Sequence, residues 1–236
     1  MRLEDLRIKI YCDGLKDADH LLAMVRQFPF LQGFTTNPSL MRAAGVTNYE
    51  RWARELLDLT LLPISFEVIA DDFREMEHQA VTLASWGPNV YVKIPITNTK
   101  GESAIETIRR LSHEGIKINV TAVMTNPQID VALRALDDGA PSIISIFAGR
   151  IADTGIDPDS LINFAWSRVG HSVEVLWASP REVYNVAQAQ DAGADIITCT
   201  PELLNKLYLL GKPLADYSLE TVKMFYDDAC KAGYTL

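Results

Sequence analysis

The sequence predicts an α/β chain closed into a (β/α)8 barrel, a TIM barrel, with one additional helix at the C-terminal end. Three observations carry the prediction. Eight short runs of β-formers recur along the 236 residues, and helical stretches separate most of them. Strands alternating with helices of this length imply a parallel sheet, and eight such units match a closed barrel. The turn after the first run reads Asp13-Gly14-Leu15-Lys16. It lacks the G-x-G-x-x-G that the alternative, a doubly wound open sheet, normally carries there.

The elements follow in order. Run one is Ile8–Cys12, ending at Asp13-Gly14, and a helix over Ala18–Gln27 follows with Leu21, Leu22 and Val25 on one face. Run two, Gly33–Thr36, ends in Asn37-Pro38-Ser39-Leu40 and leads to a helix over Tyr49–Leu59. Run three is Pro63–Ile69, followed by a helix over Asp72–Ser85 with Asp71 or Asp72 as its cap. Run four, Val90–Ile96, lies between Gly87-Pro88-Asn89 and the polar stretch Thr97–Gly101. Its helix, Ser103–His113, is closed by Gly115 as a C′ glycine. Run five is Ile116–Val123, and the helix after it starts near Asn126-Pro127, where proline suits a first turn, and runs to Leu136. Run six, Ser142–Phe147, leads into Ala148-Gly149-Arg150 and then a helix over Asp159–Val169. Run seven is Val173–Ser179, with a helix over Pro180–Ala189. Run eight is Asp195–Thr200, and Pro201 starts a helix through Leu210.

A final helix over Ser218–Ala232 stands outside the alternation and carries Leu219, Val222, Met224, Phe225, Tyr226 and Ala229. A barrel already closed by its own helices has little use for another apolar face. This helix either folds over its own barrel or docks on a neighbouring subunit. No linker or short-period repeat interrupts the chain, so residues 1–236 read as one barrel domain.

Composition excludes several function classes. The net charge of −9, from 22 basic and 31 acidic residues, argues against a general nucleic-acid surface while leaving room for a local basic pocket. Cys12, Cys199 and Cys230 are too few and too scattered for a disulfide framework or zinc cluster, which suits a reducing cytoplasm. The N-terminus carries acids rather than a signal peptide's apolar core. No apolar run reaches the roughly 20 residues a membrane helix needs. His20, His78, His113 and His171 show no ligand spacing, so no metal is expected.

Lys93 sits in the middle of run four. An ammonium removed from water is costly unless it is paired or gives up its proton. A free amine attacks carbonyls and forms an imine; a lysine at a strand end that snorkels to water is the plainer alternative. Its company weighs against that alternative. Asp13, Thr35, Thr36, Asn37, Glu67, Lys93, Asn119, Thr121, Ser145, Arg150 and Ser179 come from seven different runs, each mid-to-late in its run. A barrel gathers such positions at the C-terminal rim, where its chemistry sits. Strand alternation turns Lys93 to the same side as Tyr91 and Pro95, and pairs Asn119 with Thr121 while Val120 and Ala122 face the helices. An amine, two acids and several hydroxyls on one rim are the equipment of imine chemistry.

At Gly33–Leu40 the chain resembles the signature around the second strand of the transaldolase family, and Val90–Pro95 is similar to the segment bearing that family's Schiff-base lysine. Ile118–Thr121 and Ser145–Arg150 resemble its fifth- and sixth-strand motifs, and the likeness spans about Ile8 to Leu210. The length resembles the short subfamily of small transaldolases and fructose-6-phosphate aldolases. The resemblance implies that Lys93 forms the imine with a donor ketose, that Asp13 is the acid/base of carbon–carbon cleavage, and that Glu67 works through a water held by Thr121. It implies that Asn37, Asn119 and Ser145 hold hydroxyls of the dihydroxyacetone unit, that Phe147 lines the pocket, that Arg150 contacts the phosphate of donor or acceptor, and that Thr36 and Ser179 are among the substrate-binding residues. It further implies sugar-phosphate or related ketose and aldehyde substrates, carbohydrate metabolism of the pentose-phosphate type, no cofactor, and a pentameric or decameric homo-oligomer. The family's transfer enzymes resemble this chain in carrying glutamate and phenylalanine at Glu67 and Phe147. The aldolases carry glutamine and tyrosine, so transfer is favoured over release of free dihydroxyacetone. One departure stands out. Short relatives follow the Ala-Ser of the seventh strand with an aromatic and a basic residue, whereas Ala178-Ser179 here runs straight into Pro180-Arg181. Either the phosphate pocket is shorter or Arg181 replaces the missing cation.

Overall fold

The computed structural model describes residues 2–235; Met1 and Leu236, the ends of the predicted 1–236 span, lie outside the described residues. Eight strands, β1 (Lys9–Asp13), β2 (Leu31–Thr35), β3 (Ile64–Glu67), β4 (Val90–Pro95), β5 (Ile118–Val123), β6 (Ser142–Ile146), β7 (Val173–Trp177) and β8 (Ile196–Cys199), form a closed barrel in sequence order. Every neighbouring pair is parallel, and β8 closes onto β1. This is the predicted (β/α)8 barrel with an added C-terminal helix.

The outer helices are α1 (Ala18–Gln27), α2 (Pro38–Ala43), α3 (Tyr49–Leu57), α4 (Phe73–Ala84), α5 (Ile105–His113), α6 (Asn126–Leu136), α7 (Ala148–Ala152), α8 (Asp159–Trp166), α9 (Tyr184–Asp191) and α10 (Pro201–Lys206). Short polar caps fix where several begin. Asp17 accepts from the His20 amide, and Asp72, rather than Asp71, caps α4 by accepting from the Arg74 and Glu75 amides. Asp71 instead accepts from the Thr99 amide and hydroxyl. Asp17 caps α1, which leaves Asp13 at the end of β1 free of that task.

The core divides into two parts. A large apolar shell lies between strands and helices. A smaller cluster of Tyr11, Ile143, Leu176, Ala178 and Ile196, with Tyr91 and Phe147 against it, fills the barrel interior. The second cluster floors the functional end. Tyr11, Tyr91, Ile143 and Ile196 each precede by two residues an inward polar side chain, namely Asp13, Lys93, Ser145 and Thr198. The pleat's period of two therefore stacks a polar layer on an apolar one. Gly33 makes room for this floor, because a Cβ there would lie 2.5 Å from the Tyr11 ring.

The last helix, α11 (Leu214–Ala232), has no buried residue. It therefore does not fold over its own barrel, one of the two expectations for it. No described helix is long and apolar enough to cross a membrane.

Candidate active site

A cavity of about 350 Å³ opens at the C-terminal end of the barrel. It is lined by Asp13, Thr35, Asn37, Pro38, Ser39, Glu67, Lys93, Pro95, Thr121, Ala122, Ser145, Phe147, Arg150, Ala178, Ser179 and Thr198. Nine of the eleven polar residues singled out from the sequence are in this lining, so strand period and barrel closure together bring them to one place.

Lys93 points into the barrel and is only 6 % exposed. Its Nζ donates to the Thr36 carbonyl at 3.1 Å and lies 3.3 Å from Glu67 Oε2. Register explains the company it keeps: Lys93 pairs with Glu67 across β3–β4 and with Asn119 across β4–β5. The Glu67 end of β3 is held by the Tyr49 hydroxyl, which donates to the Glu67 carbonyl at 3.0 Å.

Burial sets the electrostatics. Desolvation raises the Glu67 pKa, with the Lys93 charge and hydrogen bond pulling it back and the Asp13 charge pushing it further up. Desolvation also raises the Asp13 pKa, opposed by Lys93 and by a hydrogen bond from Thr35 Oγ1 to Asp13 Oδ1 at 2.7 Å. Two carboxyls with raised values beside a buried amine form a group suited to proton exchange. The neighbouring thiols take no part: burial pushes Cys12 up to about 12 and Cys199 higher still, so both stay neutral.

Asn119 and Thr36 do not line the cavity. Asn119 is fully buried behind it, donating to Ser65 Oγ at 3.0 Å and accepting from Ser145 Oγ at 2.7 Å, so it orients Ser145. Thr36 gives its carbonyl to Lys93 and its hydroxyl to the Ser65 carbonyl. Asn37 caps α2 through the Leu40 amide. The Thr121 Oγ1 is buried with no hydrogen-bond partner among the described residues, and Thr121 faces the cavity.

At the mouth, the Arg150 guanidinium lies 5.4 Å from the centre of the Phe147 ring. The nearby Asp153 carboxylate is paired with Arg181, at 2.5 Å. Arg181 is outside the cavity lining. Gly149 and Ser179 explain how the rim closes. A Cβ on Gly149 would lie 1.6 Å from the Ser179 carbonyl oxygen, and Ser179 itself has φ +59°. Ala122 also differs from expectation. Simple alternation turned it to the helices, but β5 shifts register between Val120 and Val123, Ala122 takes φ +60°, and it lines the cavity.

Sequence reasoning passed over Thr198, Ser39 and the apolar wall of Pro38, Pro95 and Ala178. A threonine in a run of β-formers carries no mark of its own. Only its distance of two from Ile196, on the inward face, could have found it.

Comparison with known proteins adds a second line. The family described as transaldolase/fructose-6-phosphate aldolase matches residues 10–235. A probable transaldolase of Mesorhizobium japonicum is 37 % identical over 206 residues, covering 86 % of this chain and 88 % of the relative. One of Methanococcus maripaludis is 38 % identical over 193 residues, covering 80 % and 85 %. Among solved structures, orotidine 5′-phosphate decarboxylase of Pyrococcus horikoshii is similar with a TM-score of 0.59 and 15 % identity, covering 86 % of this chain and 98 % of that one. At that identity the likeness speaks for the barrel alone. The family match runs through every strand that supplies the cavity, and on it this chain belongs to the transaldolase/fructose-6-phosphate aldolase family.

Proposed function

We propose that the chain transfers a dihydroxyacetone unit from a ketose, phosphorylated at its far end, to an aldehyde acceptor through an imine on Lys93. The observation that carries this reading is the buried Lys93 Nζ, 3.3 Å from the Glu67 carboxyl and inside a cavity shared with Asp13.

The amine adds to the ketose carbonyl, and loss of water gives the iminium. Glu67 exchanges the protons of this step through a water, for which the free Thr121 hydroxyl is a suitable anchor. Asp13 then takes the proton of the C4 hydroxyl as the C3–C4 bond breaks. The bonding pair moves to the iminium, leaving an enamine and a free aldehyde. An acceptor aldehyde reverses the step, Asp13 returns the proton to the new hydroxyl, and hydrolysis frees Lys93. Ser145, held by Asn119, and Asn37 serve hydroxyls of the bound three-carbon unit. Arg150 at the mouth suits an anionic terminus.

Glu67 and Phe147 favour transfer; a lyase releasing free dihydroxyacetone is the second reading. Borohydride reduction with a ketose phosphate is expected to leave an adduct on the Lys93 peptide, and its absence would defeat the proposal. Without an aldehyde acceptor a transferase stalls after one half-reaction, whereas a lyase continues to turn over. A homo-oligomer assembled through α11 and a cytoplasmic setting complete the proposal. The exposed apolar residues of α11 support the first, and the three free thiols support the second.

A further inference from the structure

Thr198 has no task in the chemistry above, yet it is buried and faces the cavity from β8. Its Oγ1 lies 2.6 Å from Thr35 Oγ1, and Thr35 in turn reaches Asp13 Oδ1 at 2.7 Å. A hydroxyl has a single proton to give. While Asp13 is ionised, Thr35 gives its proton to Asp13, so Thr198 must be the donor at the other contact. The result is a directed chain from Thr198 to Thr35 to Asp13 Oδ1. A hydroxyl that accepts a hydrogen bond donates a stronger one.

We infer that Thr198 is a positioning residue for the carbon–carbon bond step: acting through Thr35, it holds Asp13 Oδ1 as an acceptor and reserves Oδ2 for proton exchange with the substrate. Oδ2 has no hydrogen-bond partner among the described residues. When Oδ2 takes the proton of the departing hydroxyl, Oδ1 becomes a carbonyl oxygen and still accepts from Thr35. The chain need not turn over between cleavage and re-addition, so the same geometry serves both directions. β8 and β2 flank β1 on either side, which lets the two threonines clasp Asp13 from both neighbours.

The inference rests on the proposed role of Asp13 as acid/base. Other groups act on this carboxyl at longer range. Lys93 on β4 attracts its charge, Glu67 on β3 repels it, and the thiols of Cys12 and Cys199 are neutral. Thr35 is the side-chain donor it has, and Thr198 is what orients that donor.

The test begins with the free protein. With aspartate 13C-labelled at its carboxyl, and the Asp13 signal assigned by its loss in D13N, the Asp13 titration is followed in wild type, T198V, T198A and T198S. Valine keeps the shape and removes the donor; alanine is the second variant should valine disturb folding, checked by thermal melting. The Asp13 midpoint is expected to move to higher pH in T198V and T198A, because the carboxylate loses support, and to return in T198S. In turnover, kcat is expected to fall on the order of tenfold in T198V with KM unchanged. The acid limb of kcat should move the same way, again with rescue by serine. An unmoved Asp13 midpoint in T198V and T198A, or a serine variant no better than valine, overturns the inference. Absence of a lysine adduct in the wild type would instead fell the transfer reading, and the titration distinguishes the two failures because it uses no substrate.

Discussion

At the scale of single residues the site trades stability for reactivity. Asp13 and Glu67 both have pKa values raised chiefly by desolvation. A carboxyl with a raised folded value binds more protons folded than unfolded between its ordinary value and the raised one. Stability must therefore fall as pH rises through that window, the reverse of a salt-bridged surface acid. Denaturant titrations across this window are expected to show a slope in wild type that flattens in D13N and in E67Q. The same substitutions are expected to lower kcat by roughly 10²–10⁴, the usual contribution of a proton-transfer group. D13N should still give the borohydride adduct on Lys93, while E67Q should form it slowly, because only the latter acid is assigned to imine formation. A fast adduct in E67Q would refute that division. These residues were legible in the sequence because each is a polar group in an apolar strand, where its presence demands a cause. Thr198 was not, since threonine is an ordinary strand former. Arg181 was legible as a cation but not in its direction, which Asp153 settles.

At the scale of elements, the closed barrel of eight parallel strands followed from period and run count alone. The short helices α2 and α7, of 6 and 5 residues, did not. Fewer than two turns leave too few positions for a helical period to register. Nor did alternation foresee the β5 irregularity at Ala122, since a bulge breaks the period of two that alternation assumes. The rim between α7 and the end of β7 depends on one glycine. G149A drives a Cβ into the Ser179 carbonyl, so helix and loop must part. The expected outcome is a raised KM for a phosphorylated ketose through displacement of Arg150, with Lys93 adduct formation retained. Steady-state kinetics beside adduct mapping checks this. Ser179 itself is held at φ +59°, a left-handed conformation that costs a side-chain-bearing residue about 1–2 kcal/mol. S179G is therefore expected to raise the urea midpoint, and it should weaken binding if the hydroxyl contacts substrate. A lowered midpoint would show that the hydroxyl's contacts outweigh the backbone strain.

At the scale of the whole molecule, α11 is the element the barrel does not explain. None of its 19 residues is buried, although Leu219, Val222, Phe225 and Tyr226 are large, apolar and exposed. Their spacing of three and four places them along one stripe of the helix. Fully burying side chains of this kind stabilises by about 1.5–3 kcal/mol each, so four contribute roughly 6–12 kcal/mol before the cost of association. A second copy of the chain is the partner proposed for this stripe, and closed symmetry would let every copy both give and receive a helix. Sedimentation at concentrations where the enzyme is active is expected to show an oligomer. The double substitution V222E/F225E places two charges on the stripe and should shift the protein toward monomer. The cavity is built from β1–β8, the loops that follow them and the short helices α2 and α7, with no residue from α11. Lys93 adduct formation is therefore expected to survive dissociation. A wild-type monomer at working concentration would remove the second copy from the proposal. An oligomer indifferent to V222E/F225E would move the interface to another face of the barrel.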